Sequence, residues 1–358
     1  MAKLCNASRQ TRDSRLDLIR TVAYCLVPAV HFLLNTGFYD LPVQGGRMLL
    51  GELYRSVCLC CVPLFLVLSG FLQKDKPFSR RYYKGLLRIL FTYLLASGAC
   101  MAVQVWQGQP FSLRWALRAL VLFRGAPYSW YVELYLGLFL LIPFLNGMYR
   151  GLATQRARLV LVATLLALTA LPTLLWAHPM PERWLDLWPV TYYLLGAYLA
   201  DYPPQFPTWG LALLFGAVAA ADGGLWYLLN RGRPHLWQPI SSWGGLGVTA
   251  ATLLLFCLLS RIPVHRASQA FQRGLEWISR RSFSAYLLSW ITDQLIYGQL
   301  NQWAPQPLSR LVWIPLVVPL AVLAPLPLAA CLDWLVHRCL SLTDRLCLSR
   351  KSPHISQH

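Results

Sequence analysis

Long apolar blocks are what most constrain this chain. They cover residues 17–38, 51–73, 86–107, 128–148, 158–177, 188–201, 208–229, 242–260, 282–300 and 312–337. Apart from the short block at 188–201, each is near the ~20 residues a helix needs to cross the hydrocarbon of a bilayer. In lipid, only helices and closed barrels satisfy their backbone polar groups. Barrel strands alternate apolar and polar residues, and these blocks do not. The pattern predicts an all-α membrane protein of about ten transmembrane helices. Residues 1–345 read as a single integral membrane domain, followed by a short cytoplasmic tail at 346–358 that is expected to be disordered.

Charge supports this reading. Charged residues make up 13% of the chain, against roughly 25% in soluble domains. The net charge of +18 comes from 32 Lys and Arg against 14 Asp and Glu. No basic domain stands apart, so a nucleic-acid partner is not expected. With the N-terminus inside, 23 of the 32 basic residues fall on the inner side, in groups around Arg15, Arg81, Arg156, Arg273 and Arg345. This positive-inside bias places both termini in the cytoplasm. The first apolar run is too long for a signal peptide and no small-residue cleavage site follows. The stretch "FSLRWALRALVLFR" at 111–124 is too short to span and reads as an outer interfacial helix. Trp106, Trp176, Trp184, Trp188, Trp226, Trp237 and Trp243 fit an aromatic belt. The cysteine run "CLCC" at 58–61 would point in several directions around a helix, so no metal site is expected.

Ionisable residues inside a span are costly and point to function. His31 lies deep in the first span. It follows Arg20 by eleven positions, three helical turns plus about 20° and a rise of about 16 Å. Arg20, Tyr24, His31 and Asn35 therefore share a stripe, with Asp17 beside it below Arg20. One helix face would run from a cationic inner mouth to an imidazole deep in the membrane. That suits an anionic cytoplasmic donor whose reactive end reaches the bilayer interior. Glu133, Asp222 and Asp293 fall at similar depth by residue count, and Glu52 pairs with Arg55 nearer the outer surface. An acidic cluster open to the outside would suit a sugar-like acceptor.

These residues carry a family resemblance. "RLDLIRTVAYCLVPAVH" at 15–31 resembles the opening signature of the acyltransferase-3 family of integral membrane acyltransferases, an Arg and a His separated by ten residues. "VPLFLVLSGFL" at 62–72 resembles the family's Phe-x-x-Ser-Gly segment, and "SRRYYKGLLRILFTYLL" at 79–95 its basic stretch. "WYVELYLGLFLLIPFLN" at 130–146, "YYLLGAYLA" at 192–200 and "RRSFSAYLLSW" at 280–290 are similar to later landmarks. Two positions depart from the pattern. Arg81 is followed by Lys84 where a second Arg is usual, and Ser289 stands where many members carry His.

The resemblance implies transfer of an acyl group, often acetyl from acetyl-CoA, to a hydroxyl of a cell-surface carbohydrate or related molecule. CoA would be a co-substrate, with no bound cofactor. A neutral imidazole can take the hydroxyl proton during attack on a thioester, and its ordinary pKa near 6.5 suits the task. His31 is then the expected general base. Glu133 is expected to orient it or to bind acceptor hydroxyls. Arg20, Arg81, Lys84 and Arg88 would hold the phosphates of acyl-CoA, with Ser69 and Gly70 beside the donor path. Asp17, Tyr24, Asn35, Asp222 and Asp293 are supporting or acceptor-side residues. The acceptor would be a carbohydrate or lipid-linked glycan at a bacterial plasma membrane. Ten helices with buried acids also fit a proton-coupled transporter, which stays open at this point, as does a non-catalytic family member.

Overall fold

The computed structural model describes residues 13–174, 181–237 and 239–349. Trp176 and the tail from Arg350 onward lie outside them. Thirteen α-helices make up the described fold. They are α1 (Ser14–Asn35), α2 (Gly46–Cys58), α3 (Cys61–Gln73), α4 (Arg80–Trp106), α5 (Leu113–Val121), α6 (Trp130–Gly151), α7 (Gln155–Thr169), α8 (Trp188–Asp201), α9 (Thr208–Asn230), α10 (Leu246–Ser260), α11 (Gln269–Trp303), α12 (Ile314–Leu323) and α13 (Pro325–Ser349). Among the described residues there is no strand, only an isolated bridge between Pro42 and Pro234.

Eight helical stretches are long and apolar enough to cross a membrane: 14–35, 46–73, 80–106, 130–151, 155–174, 208–230, 239–266 and 307–343. The chain is a multi-pass membrane protein. The other two expected spans are also helical. At 14 residues α8 is short, and α11 carries Arg273, Glu276, Arg280, Arg281 and Asp293 along its 35 residues.

Proline explains where the helices differ from the expected blocks. Block 51–73 is broken at Leu59–Cys60, because Pro63 has no N–H to return to the carbonyl of Leu59. Block 312–337 divides at Ala324, before Pro325, a residue pair that disfavours helical continuation. Two boundaries move for another reason. The polar first turns of α11 carry it back to Gln269, well before position 282, and α13 continues to Ser349, so 346–349 are helical rather than part of a loose tail.

Small residues set the closest packing. A Cβ on Gly70 would lie 1.8 Å from the Tyr193 carbonyl oxygen, and one on Gly196 would lie 2.0 Å from that of Val67. α3 and α8 meet there backbone to backbone, a close approach that glycine permits in membrane helices. The site is built beside this seam by α1 and α11. At the start of α1, Asp13 accepts from the Arg15 N–H, and the Arg15 guanidinium holds the Asp13 carboxyl below the usual range.

Candidate active site

α1 and α11 run side by side in the same direction, tied at several levels. Thr21 donates to the Leu275 carbonyl (3.3 Å). Arg20 donates to the Ser279 hydroxyl (3.2 Å), which donates to Asp17 (2.6 Å). Further along, Asn301 donates to the Asn35 carbonyl (3.1 Å). Between these ties His31 faces Asp293.

His31 is 7% exposed and Asp293 1%. The imidazole Nδ1 lies 3.7 Å from Asp293 Oδ2. The Tyr128 ring covers the imidazole, with centroids 3.9 Å apart, and its hydroxyl donates to the same Oδ2 (3.0 Å). That hydroxyl accepts from Asn35 Nδ2 (3.0 Å). Tyr286 lies 6.5 Å from the imidazole centroid and donates to the Tyr128 backbone carbonyl. Among the described residues, neither His31 Nδ1 nor Asp293 Oδ1, both buried, has a hydrogen-bond partner.

Two cavities meet at Arg20. One, of about 430 Å³, is lined by Arg20, Gln73, Lys76, Val27, Tyr131 and Tyr286, with an apolar wall that includes Phe65 and Leu68. Val27 stands one helical turn before His31. The second, of about 450 Å³, is lined by Arg20, Arg88, Arg280 and Arg281 with Asp333. Arg20, Ser282 and Phe283 border both. The wall at Gln73–Lys76 is held in place: Asn146 donates to the carbonyls of both residues (2.7 and 2.9 Å). Asp201 meanwhile pairs with Lys74 (2.8 Å) and Arg158 (2.6 Å).

The structure thus brings His31, Asn35 and Asp293 together at one point, and Asp17, Arg20 and Arg88 at another. It does not bring the remaining predicted residues to the same places. Glu133 is exposed on α6. It sits midway between Tyr131 and Tyr135, about 180° around the helix from the face that lines the cavity, so Asp293 is the carboxylate beside His31. Gly70 belongs to the α3–α8 seam. Ser69 does line the first cavity, but its hydroxyl donates to Phe65 (2.8 Å). Arg81 and Lys84 are exposed and border neither cavity. Tyr24 is buried and donates to the Val322 carbonyl (2.8 Å).

Asp222 packs against Gly247 of α10, in a second polar cluster. There Glu52 lies between Arg55 (3.6 Å) and His235 (3.2 Å). Arg55 is buried and donates to Ser241, with Trp237, Trp226 and Tyr39 at 5.0, 5.6 and 5.7 Å. Trp226 is therefore turned inward, 1% exposed, rather than set in an interfacial belt.

Tyr128, Tyr131, Tyr135, Tyr286 and Lys76 were not among the expected site residues. A signal was present in "YSWYVELY": Tyr128, Tyr131 and Tyr135 recur at helical spacing.

The described residues thus combine apolar helices, a cationic cavity and a buried imidazole. The chain matches the model of the acyltransferase-3 family, described as an acyltransferase domain, over residues 13–330. It belongs to that family. No curated protein and no solved structure matches it.

Proposed function

We propose that the protein moves an acyl group, acetyl in the simplest case, from cytoplasmic acyl-CoA to a hydroxyl of a cell-surface or exported carbohydrate. One observation carries the reading: a cavity of about 430 Å³ is lined by Arg20, Lys76 and Tyr286, and the Tyr286 ring centroid lies 6.5 Å from that of His31. An anionic molecule with a long, weakly polar arm fits that shape. The nucleotide phosphates sit in the adjoining cavity at Arg20, Arg88, Arg280 and Arg281, where guanidinium groups suit phosphate oxygens. The pantetheine arm lies along Phe65 and Leu68, and the thioester reaches the foot of His31.

His31 acts as general base. As the acceptor oxygen attacks the thioester carbonyl carbon, the hydroxyl proton passes to the imidazole. The C–S bond then breaks, and the thiolate leaves with that proton. On this reading the arginine-rich end and both termini face the cytoplasm of a bacterium, about ten helices cross the plasma membrane, and the acceptor arrives from the opposite side.

The test compares surface glycans by mass spectrometry from cells with and without the protein. It is paired with CoA release from acetyl-CoA by the protein in proteoliposomes. Acyl groups that depend on the protein and on His31 are the expected result. Net substrate flux with no acyl transfer would replace the reading with a transporter.

A further inference from the structure

We infer that Asp293 is a positioning residue: it holds the single proton of neutral His31 on Nδ1, and Tyr128 holds Asp293 in place to do so. The inference rests on the acyl-transfer reading above and adds to it which imidazole nitrogen is basic and what keeps it so.

The argument begins with donors and acceptors. A neutral imidazole has one N–H and one lone pair, and its hydrogen-bond partners decide which nitrogen carries which. Asp293 Oδ2 lies 3.7 Å from Nδ1 and accepts a proton from the Tyr128 hydroxyl at 3.0 Å. An oxygen already accepting from Tyr128 presents lone pairs to its other neighbour. A lone pair on Nδ1 would repel it and an N–H on Nδ1 is attracted. The proton therefore belongs on Nδ1, and Nε2 keeps the lone pair that takes the acceptor's proton.

The surroundings make the arrangement stiff. Asn35 donates to the Tyr128 hydroxyl (3.0 Å), so that hydroxyl has its own proton to give to Asp293. The Tyr128 ring lies 3.9 Å from the imidazole centroid, which blocks rotation of the ring out of the plane facing Asp293. Tyr286 donates to the backbone of Tyr128. Asn35, Tyr128, Asp293 and His31 thus form one chain of contacts drawn from α1, the turn before α6, and α11.

One feature points to catalysis rather than packing. Nδ1 and Asp293 Oδ1 are buried with no hydrogen bond among the described residues, which buried polar atoms of folded proteins rarely tolerate. The gap of 3.7 Å exceeds a hydrogen bond, and such contacts at catalytic sites tighten as the reaction proceeds. When Nε2 takes the proton, the ring becomes a cation facing a carboxylate in a buried site. A bond absent at rest and made in the transition state lowers the barrier without tightening the ground state.

The test has a spectroscopic arm and a kinetic arm. In protein labelled with ¹⁵N-histidine in bilayers, His31 is assigned as the signal lost in His31→Gln. A protonated Nδ1 with a bare Nε2 is expected, and the opposite tautomer overturns the inference even in a fully active protein. In the kinetic arm, the amide of Asp293→Asn can turn its NH₂ toward Nδ1 and reverse the tautomer. Turnover of acetyl-CoA should fall of order 10²-fold or more, with its KM within about twofold, and Asp293→Glu should recover part of the loss. Adding Asp293→Asn to His31→Gln should cost nothing further, because both act through one imidazole. Additive losses, or losses that track the thermal midpoint, would make Asp293 a packing residue. Absence of any acetyl-CoA turnover in the wild type would instead remove the acyl-transfer reading and leave the tautomer to the ¹⁵N spectrum.

Discussion

His31 and His235 each lie against a buried carboxylate, Asp293 at 3.7 Å and Glu52 at 3.2 Å, yet their surroundings differ. His235 sits among aromatic rings, with Trp226 and Tyr39 at 4.4 and 4.7 Å. Its carboxylate also faces Arg55, itself enclosed by rings and fixed to Ser241. That cluster joins two loops that are also held backbone to backbone, through Val43 with Arg233 (2.9 Å) and Gly232 with Val43 (2.8 Å). Among the described residues, Asp293 has no Arg or Lys paired with it beside His31. His31 has a cavity one helical turn below it and a contact left open. The same pair of side chains can tie loops together or wait for a proton. The neighbouring charge and the neighbouring space decide which.

The sharpest way to break this comparison is to remove each imidazole in turn. His31→Gln should lose about 10²–10⁴ in acetyl-CoA turnover with unchanged amounts of protein in the membrane. His235→Gln should keep turnover within about twofold and lower the thermal midpoint. Equal kinetic losses at the two sites would erase the distinction. Next in size is Arg55→Met, which leaves Glu52 as a buried charge. Breaking a buried pair this way costs about 3–5 kcal/mol, read by thermal unfolding in detergent. A midpoint equal to wild type would mean that the cluster does not hold the loops.

Much of the candidate site was legible in the sequence. The helical period of α1 put Arg20, His31 and Asn35 on one stripe, and the structure brings Asn35 within reach of the Tyr128 hydroxyl that faces Asp293. Asp293 could be placed only by depth, because nothing local says which helix α1 will lie against. Glu133 was misread because depth was weighed and azimuth was not: Tyr131 and Tyr135 define the inner face of α6, and Glu133 lies opposite. Tyr128 precedes the helix, in a turn whose contacts come from packing alone. The Glu52–Arg55 spacing was visible, but His235, more than 180 residues away, was not, since it meets them only when the loop after α9 packs against α2.

A smaller effect tests the donor side. Arg20→Ala removes a guanidinium bordering both cavities and should weaken acetyl-CoA binding about tenfold or more, the scale of a lost hydrogen bond to a charged group. Exposed Arg81→Ala should change affinity less than about threefold, by direct measurement in detergent. The reverse order would move the phosphates to α4. The smallest expected effect is at Lys74, where the hydrogen bond to Asp201 holds the ammonium above its ordinary 10.5. A raised pKa means stabilisation fully present below that ordinary value and lost as pH rises through the raised one. Lys74→Met should therefore lower the midpoint by a degree or two at pH 8, as a partly exposed pair contributes about 0–1 kcal/mol. The gap should close as pH rises through that raised pKa. A gap independent of pH would assign the effect to the side chain's length.

The ties between α1 and α11 have one more consequence. They fix Arg20 and His31 to a common frame, so the rise of about 16 Å between them is a set length. Under the proposed function the pair works as a gauge. A donor gripped by its phosphates at Arg20 is judged by the reach of the arm between phosphate and thioester. An acyl thioester with a truncated arm can satisfy one end of the gauge or the other, never both, however well its acyl group matches.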